Sequence, residues 1–320
     1  MPVKRFVHKF FRYFGLKLER TVSSFRNQLA HYNIHKSEYG MSGNKIYFKK
    51  LCLEIPISAA APILERYQNA LKLEEKGGFK FFLNSDSHLH AKNNKVEFSI
   101  NDDEELFILS EVFLEGAYNL IPSTKKKIAL IDVGMNVGIT SLFYASKENV
   151  EKVFSFEPFE PTFSMALKNI QINPGFGGKI QACNFGLAKK QADILVPYSS
   201  KEKGRMGTKG LPKSEGYIAT NVSSQLMHLK SASDEFLKIK ELVKDHFVVC
   251  KIDTEGAEYE IIDSLYNANL LSIADVYFIE WHEIKPTDII AKFTDTNYNV
   301  IETASSLLHS GMIYAIKNNG

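Results

Sequence analysis

The stretch Ile131-Asp-Val-Gly-Met-Asn-Val-Gly-Ile-Thr140, followed by Phe154-Ser-Phe-Glu157-Pro158, decides how this chain folds. An apolar strand ends in an acid and a glycine turn and then enters a helix. A second apolar strand ends in a lone carboxylate nineteen residues after Gly138. An α/β fold holds a nucleoside in this way: glycine brings backbone close to the ligand, and the carboxylate accepts from ribose hydroxyls. Gly134 and Gly138 free the backbone where a Cβ would clash, and Asn136 adds a side-chain amide to the same turn. The helix that starts near Gly138 directs its free N–H groups at the site. Asp132 discriminates between ligands. An acid at the strand tip repels a pyrophosphate and suits an ammonium or sulfonium group. Without a ligand, the same residues read as an ordinary strand–turn–helix.

From Lys127 onward, strands and helices alternate. The expected strands are Ile128–Val133, Val153–Phe156, Ile180–Asn184, Phe247–Ile252 and Val276–Glu280, and the helices fall at 138–147, 160–172, 234–244 and 256–267. Nearly continuous apolar strands separated by helices predict a parallel sheet covered on both faces. Asn299–Ala304 and Met312–Lys317 have no helix between them and read as an antiparallel pair closing the sheet. Residues 198–221 interrupt the alternation with Lys201, Lys203, Arg205, Lys209 and Lys213 among four glycines, a basic insertion or lid. Its cations could clamp a phosphate or carboxylate, or simply face solvent.

Residues 1–95 form an α+β extension. Ala59–Lys76 reads as a helix stopped by Gly77-Gly78, and Phe79–Leu83 and Val96–Ile100 read as strands around a polar loop. Acids at 102–105 mark another helix start. In residues 1–20, six Lys and Arg face one acid, with Val3, Phe6, Val7, Phe10 and Phe14 at helical spacing. Such a helix can lie in an anionic membrane interface, giving peripheral contact, or pack on the domain with its basic face solvated.

Composition limits the function classes. Hydrophobic content is 44%, charged content 24% and net charge +2, so the chain is globular and lacks the basic excess of a nucleic-acid binder. Three scattered cysteines without CxxC exclude a zinc cluster or disulfide scaffold. With no secretory signal visible, a cytoplasmic location is expected.

Two further strand tips carry chemistry. Lys251-Ile-Asp253-Thr-Glu255-Gly-Ala-Glu258 ends the fourth strand, where ligands of open α/β sheets collect. Asp253 should face the site, whereas Glu255 and Glu258 are also explained by a helix N-terminus. Phe278-Ile-Glu280-Trp-His282-Glu283 ends the fifth, and alternation puts Glu280 and His282 on one face. His282 is the side chain most easily poised near neutral pH, as a base or a ligand.

These pieces, in this order, resemble the FkbM-type methyltransferases, a family of S-adenosylmethionine-dependent enzymes. The matching segments are IDVGMNVG at 131–138, FEP at 156–158, KIDTEGAE at 251–258 and IEWHE at 279–283, with Ser110–Tyr118 similar to the family's lead-in helix. The likeness covers about residues 96–317 and is most specific at KIDTEGAE. Position 135 is Met where the family usually has Ala. The resemblance implies a class I methyltransferase fold: a Rossmann-like, seven-stranded, mostly parallel sheet in a cofactor-binding domain spanning 96–320. It implies O-methyl transfer to a sugar, glycan or other hydroxylated metabolite. Asp132, Gly134, Met135, Asn136 and Gly138 would surround the methionine part of the cofactor, Glu157 and Pro158 the ribose, and Asn184 the adenine. Asp253, Glu280 and His282 are the expected catalytic residues, with His282 or Asp253 as base. The alternative makes those three residues ligands of Mg or Mn, which would acidify the acceptor hydroxyl. Two rival functions are a nicotinamide-dependent oxidoreductase, for which the loop lacks G-x-G-x-x-G, and a non-catalytic, membrane-associated adaptor on the same fold.

Overall fold

The computed structural model describes residues 24–199, 206–207, 222–282, 284–305 and 310–318. The basic helix expected in residues 1–20 and most of the 198–221 insertion lie outside the described residues. Two compact units divide the chain, Met1–Glu115 and Gly116–Gly320.

The first unit holds two three-stranded antiparallel sheets, Tyr39–Ser42, Lys45–Phe48 and Leu53–Pro56 in one, Lys80–Leu83, Leu89–Lys92 and Glu97–Ile100 in the other. The polar loop expected between Phe79–Leu83 and Val96–Ile100 therefore contains a strand, Leu89–Lys92. Its Leu89, His90 and Ala91 are buried, and His90 Nδ1 meets Glu97 Oε1 at 2.8 Å across the sheet. The helix expected over 59–76 is two helices, Ala61–Glu65 and Tyr67–Gly77, broken at Arg66, whose φ of −124° and ψ of 37° leave the helical region. Gly78 closes the second at φ 67°, the left-handed stop that the paired glycines predict.

The unit boundary falls at 115/116, not at 95/96. Glu97–Ile100 pairs with Leu89–Lys92, and the helix Asp103–Ser110 is tied to the first unit by Arg66 Nε to Asp103 Oδ2 (2.9 Å) and Asn69 Nδ2 to Ser110 Oγ (3.0 Å). Asp102 and Glu105 form a capping box at that helix start, as the run of acids predicts.

The second unit contains strands β1 (Ile128–Val133), β2 (Val150–Phe156), β3 (Ile180–Cys183), β4 (Gly186–Ala188), β5 (Ala192–Ser199), β6 (Val222–Ser231), β7 (Phe247–Ile252), β8 (Val276–His282), β9 (Tyr298–Ser305) and β10 (Ser310–Lys317). Its main helices are α1 (Ile139–Ala145), α2 (Glu160–Gln171), α3 (Ala232–Val243), α4 (Glu258–Asn267) and α5 (Thr287–Asp295). The seven-stranded sheet runs β9-β10-β8-β7-β1-β2-β3, with β10 alone running against the direction of the other six strands. This is the class I methyltransferase topology. β1 and β7 are buried at every position, which accounts for their unbroken apolar character. The chain winds outward from β1 through β2 to β3, then returns to β7 beside β1. The carboxyl ends of β1 and β7 flank the switch point, where an open α/β sheet forms its ligand crevice.

Two features depart from the expected alternation. α5 follows β8, burying Ile289 and Phe293, after a segment whose Pro286 masks the helical pattern. β5 and β6 pair antiparallel along eight positions, and with β4 they form a small separate sheet around the insertion. Tyr198 and Ser199, expected in the loop, belong to β5.

Candidate active site

The glycine turn after β1 is held by its own backbone. Gly134 N and Met135 N both donate to Phe156 O at the end of β2, at 3.1 and 2.9 Å. Gly134 has φ 84°, and a Cβ there would lie 1.8 Å from the Asp253 carbonyl oxygen, so the position admits only glycine. Asn136 also has positive φ, and its N–H donates to Glu157 Oε2 at 2.9 Å. Glu157 Oε1 accepts from Phe159 N at 3.1 Å. Burial pushes the Glu157 carboxyl up to about 7, against the pull of those two N–H groups. Asn136 Oδ1 is buried and has no hydrogen-bond partner among the described residues.

A cavity opens at the switch point. Gly134, Asn136, Glu157 and Pro158 line one side, and Asp253, Thr254, Glu255 and Ala257 the other. Leu187, Met206, Met227 and Leu229 give it an apolar wall. That wall comes from β4, β6 and the described part of the insertion, and nothing in its sequence pattern distinguishes it from ordinary core.

The remaining expected cofactor residues stand outside the lining. Met135 is buried in the turn, Gly138 caps α1 against Ala166, and Asn184 Nδ2 donates to Glu157 O at 2.9 Å, which ties down the β2 exit. Asp132 is wholly buried. Ser141 Oγ donates to its Oδ2 at 2.6 Å, and Lys251 Nζ lies 3.5 Å from its Oδ1. The cation that Asp132 meets is therefore internal, which removes the sequence argument that this acid selects a cationic ligand by contact.

Lys251 pairs with Asp132 across β7 and β1. Its Nζ donates to Gly134 O at 2.6 Å and lies 3.2 Å from Asp253 Oδ2. Burial works against its charge, but Asp253 and Asp132 outweigh that cost and hold its pKa up. One buried ammonium thus fastens the glycine turn to the β7 tip. A single charge inside the apolar run Phe247–Ile252 was the signal for it.

At the β8 tip, Glu280 and His282 share a face as alternation predicts, with Trp281 buried opposite. His282 Nε2 lies 3.6 Å from Glu280 Oε1 and 3.5 Å from Glu255 Oε2. Glu258, fully buried at the start of α4, accepts from His282 N at 2.8 Å and lies 3.3 Å from its Nδ1. It also accepts from Gly256 N at 2.8 Å. Burial disfavours the imidazolium, but Glu258, Glu280 and Glu255 outweigh it and hold His282 at about 11. The ring is therefore protonated at neutral pH.

One atom each from Asp253, Glu255 and His282 lies within 4.8 Å of the others. A divalent ion at this cluster would use Glu255 where the sequence suggests Glu280, and it would have to displace the His282 proton.

Among known proteins, the chain is similar to a hexuronic acid methyltransferase, AglP, from Haloferax volcanii, with 28% identity over 200 residues covering 61% of this chain and 74% of the relative. It is also similar to a methyltransferase from Beauveria bassiana, with 23% identity over 170 residues, half of this chain and 66% of the relative. The crystal structure of an FkbM methyltransferase from Methylobacillus flagellatus aligns with a TM-score of 0.41 and 13% identity, covering 65% of this chain and 47% of that one. The model of the methyltransferase FkbM domain matches residues 132–300, more than half of the chain, and the chain belongs to that family.

Proposed function

We propose that the chain transfers a methyl group from S-adenosylmethionine to a hydroxyl of a sugar, glycan or similar metabolite. One observation carries this reading: a single cavity joins the Gly134–Asn136 turn and Glu157 to the acid-rich tip at Asp253–Glu255. The first side suits a nucleoside. Glu157 can accept from two ribose hydroxyls, and the unpartnered Asn136 Oδ1 offers an acceptor to an amine. The second side suits an acceptor whose proton must be moved.

When bound, the cofactor supplies an electrophilic methyl group on a sulfonium. The protein then needs to align the acceptor with that methyl, exclude water and receive a proton. Lys251 keeps the turn and the β7 tip in register, and the apolar wall of Leu187, Met227 and Leu229 excludes water. His282 already carries its proton and acts here as a fixed cation among carboxylates. The Haloferax relative is named for a hexuronic acid, a sugar bearing a carboxylate. That name supports a sugar acceptor and accords with the anionic acceptor suggested by the lysines and arginine of 198–221.

Calorimetry tests the reading. S-adenosylhomocysteine should bind with one site per chain, and NAD should not bind. Binding of NAD alone would return the chain to the oxidoreductase class, and binding of neither would favour the adaptor. Methyl transfer should persist in excess EDTA, and its loss on chelation with recovery on adding Mn would establish the metal version instead.

A further inference from the structure

We propose that Glu255, rather than His282 or Asp253, is the catalytic residue that takes the acceptor's proton. The inference rests on the methyltransferase reading and assigns a role that the reading leaves open.

Elimination begins with the cavity. Among the described residues lining it, the titratable ones are Glu157, Asp253 and Glu255, while His282 and Glu280 stand behind the lining. Glu157 sits at the nucleoside end, where its oxygens each accept one backbone N–H, of Asn136 and Phe159, and keep a further lone pair for the ribose. Asp253 Oδ2 lies 3.2 Å from the buried Lys251 ammonium, so its carboxylate is committed to fastening the β7 tip. Glu255 takes no part in that fastening. Its ion-pair partner among the described residues is His282, whose Nε2 is 3.5 Å away and whose other ring nitrogen and N–H are held by Glu258.

Backbone geometry supports the assignment. Glu255 has φ 52°, a left-handed conformation that is strained outside glycine and gathers at functional sites. It turns the chain between β7 and α4 so that this side chain enters the cavity. A Cβ at Gly207 would lie 2.1 Å from the Glu255 carbonyl oxygen, so bare backbone of the insertion closes against the residue. Burial also keeps Glu255 basic, up to about 8, near the value a general base needs. The groups acting on it are His282, Asp253, Glu280 and Glu258, from β7, β8 and α4.

The step balances. The acceptor oxygen forms a bond to the methyl carbon as the carbon–sulfur bond breaks, and the bonding pair leaves on sulfur. The hydroxyl proton passes to a Glu255 oxygen. The products are a methyl ether, a neutral thioether nucleoside and a protonated Glu255, which later returns its proton to solvent.

The test uses the full chain, labelled S-adenosylmethionine, and methyl glucoside or glucuronate as acceptor. Glu255→Gln should lower kcat at least about 100-fold, leave the S-adenosylhomocysteine Kd within about threefold, and abolish the rise of rate with pH. Glu255→Asp should recover part of the rate. A Glu255→Gln rate within about threefold of the parent, with transfer otherwise intact, overturns the proposal and leaves the methyltransferase reading standing. Methylation confined to the glucuronate carboxylate also overturns it, because a carboxylate has no proton to give. Failure to bind S-adenosylhomocysteine overturns both. A second arm needs no acceptor: carbon NMR of labelled glutamate in the S-adenosylhomocysteine complex, with the Glu255 signal identified by its loss in Glu255→Gln. A midpoint near 8 supports the proposal, and one in the ordinary carboxylate range overturns it.

Discussion

Glu157 shows how burial changes the meaning of a residue that the sequence places correctly. The Phe-Glu-Pro run locates a carboxylate at the end of β2 and predicts ribose contact. The two backbone donors and the raised pKa come only from the turn folded beside it. The unfolded chain ionises this group near 4.5, whereas the folded chain keeps the proton until about 7. The folded state therefore holds the extra proton across that window, and this group lowers stability as pH rises through it. Ribose hydroxyls donate to the ionised form, so cofactor binding should strengthen in the same direction. Calorimetry with S-adenosylhomocysteine should show affinity rising about tenfold from pH 6 to 8. In Glu157→Gln, affinity should be weaker and the slope should vanish. Asp132 gives the opposite lesson. Its position at the strand tip is legible, but its partner is Lys251, 119 residues later in sequence (251 − 132), and only the pairing of β7 with β1 brings them together.

At the scale of elements, the site is two strand tips fastened to each other. Gly134 lets the β1 turn pass against the Asp253 carbonyl, and Lys251 fixes the approach from below. Gly134→Ala should combine positive φ with a clash against rigid backbone, costing more than about 2 kcal/mol and removing S-adenosylhomocysteine binding, as read by thermal unfolding and calorimetry. Lys251→Met leaves two carboxylates without their cation and should cost about 3–5 kcal/mol in urea unfolding. Adding Asp132→Asn to Lys251→Met should recover part of that loss, because it removes one of the stranded charges. The strands were legible because β1 and β7 are buried on both faces and read as apolar runs. Leu89–Lys92, β5 and β6 were not. Their alternation is short or masked by polar residues, and their burial comes from neighbours that sequence spacing does not name.

At the scale of the whole molecule, the seven strands of the main sheet are the ones that the strand–helix alternation and the closing antiparallel pair name, and the fold sets them in the order β9-β10-β8-β7-β1-β2-β3. The unit boundary did not follow. Residues 97–110 look like a lead into the sheet, yet their apolar side chains belong to the first unit. A fragment of residues 96–320 would strip partners from Phe98, Ile100, Leu106 and Leu109, all buried in the intact chain. It should aggregate, while a fragment of residues 116–320 should stay monodisperse and bind S-adenosylhomocysteine, as judged by size exclusion and calorimetry. Among the described residues no helix is long and apolar enough to cross a membrane. The most direct test of the central claim is a crystal structure of the full chain with S-adenosylhomocysteine. Ribose hydroxyls within hydrogen-bonding distance of Glu157, with the sulfur facing Asp253 and Glu255, is the predicted result. A nucleoside bound elsewhere, or with its sulfur turned away from that tip, would contradict the account.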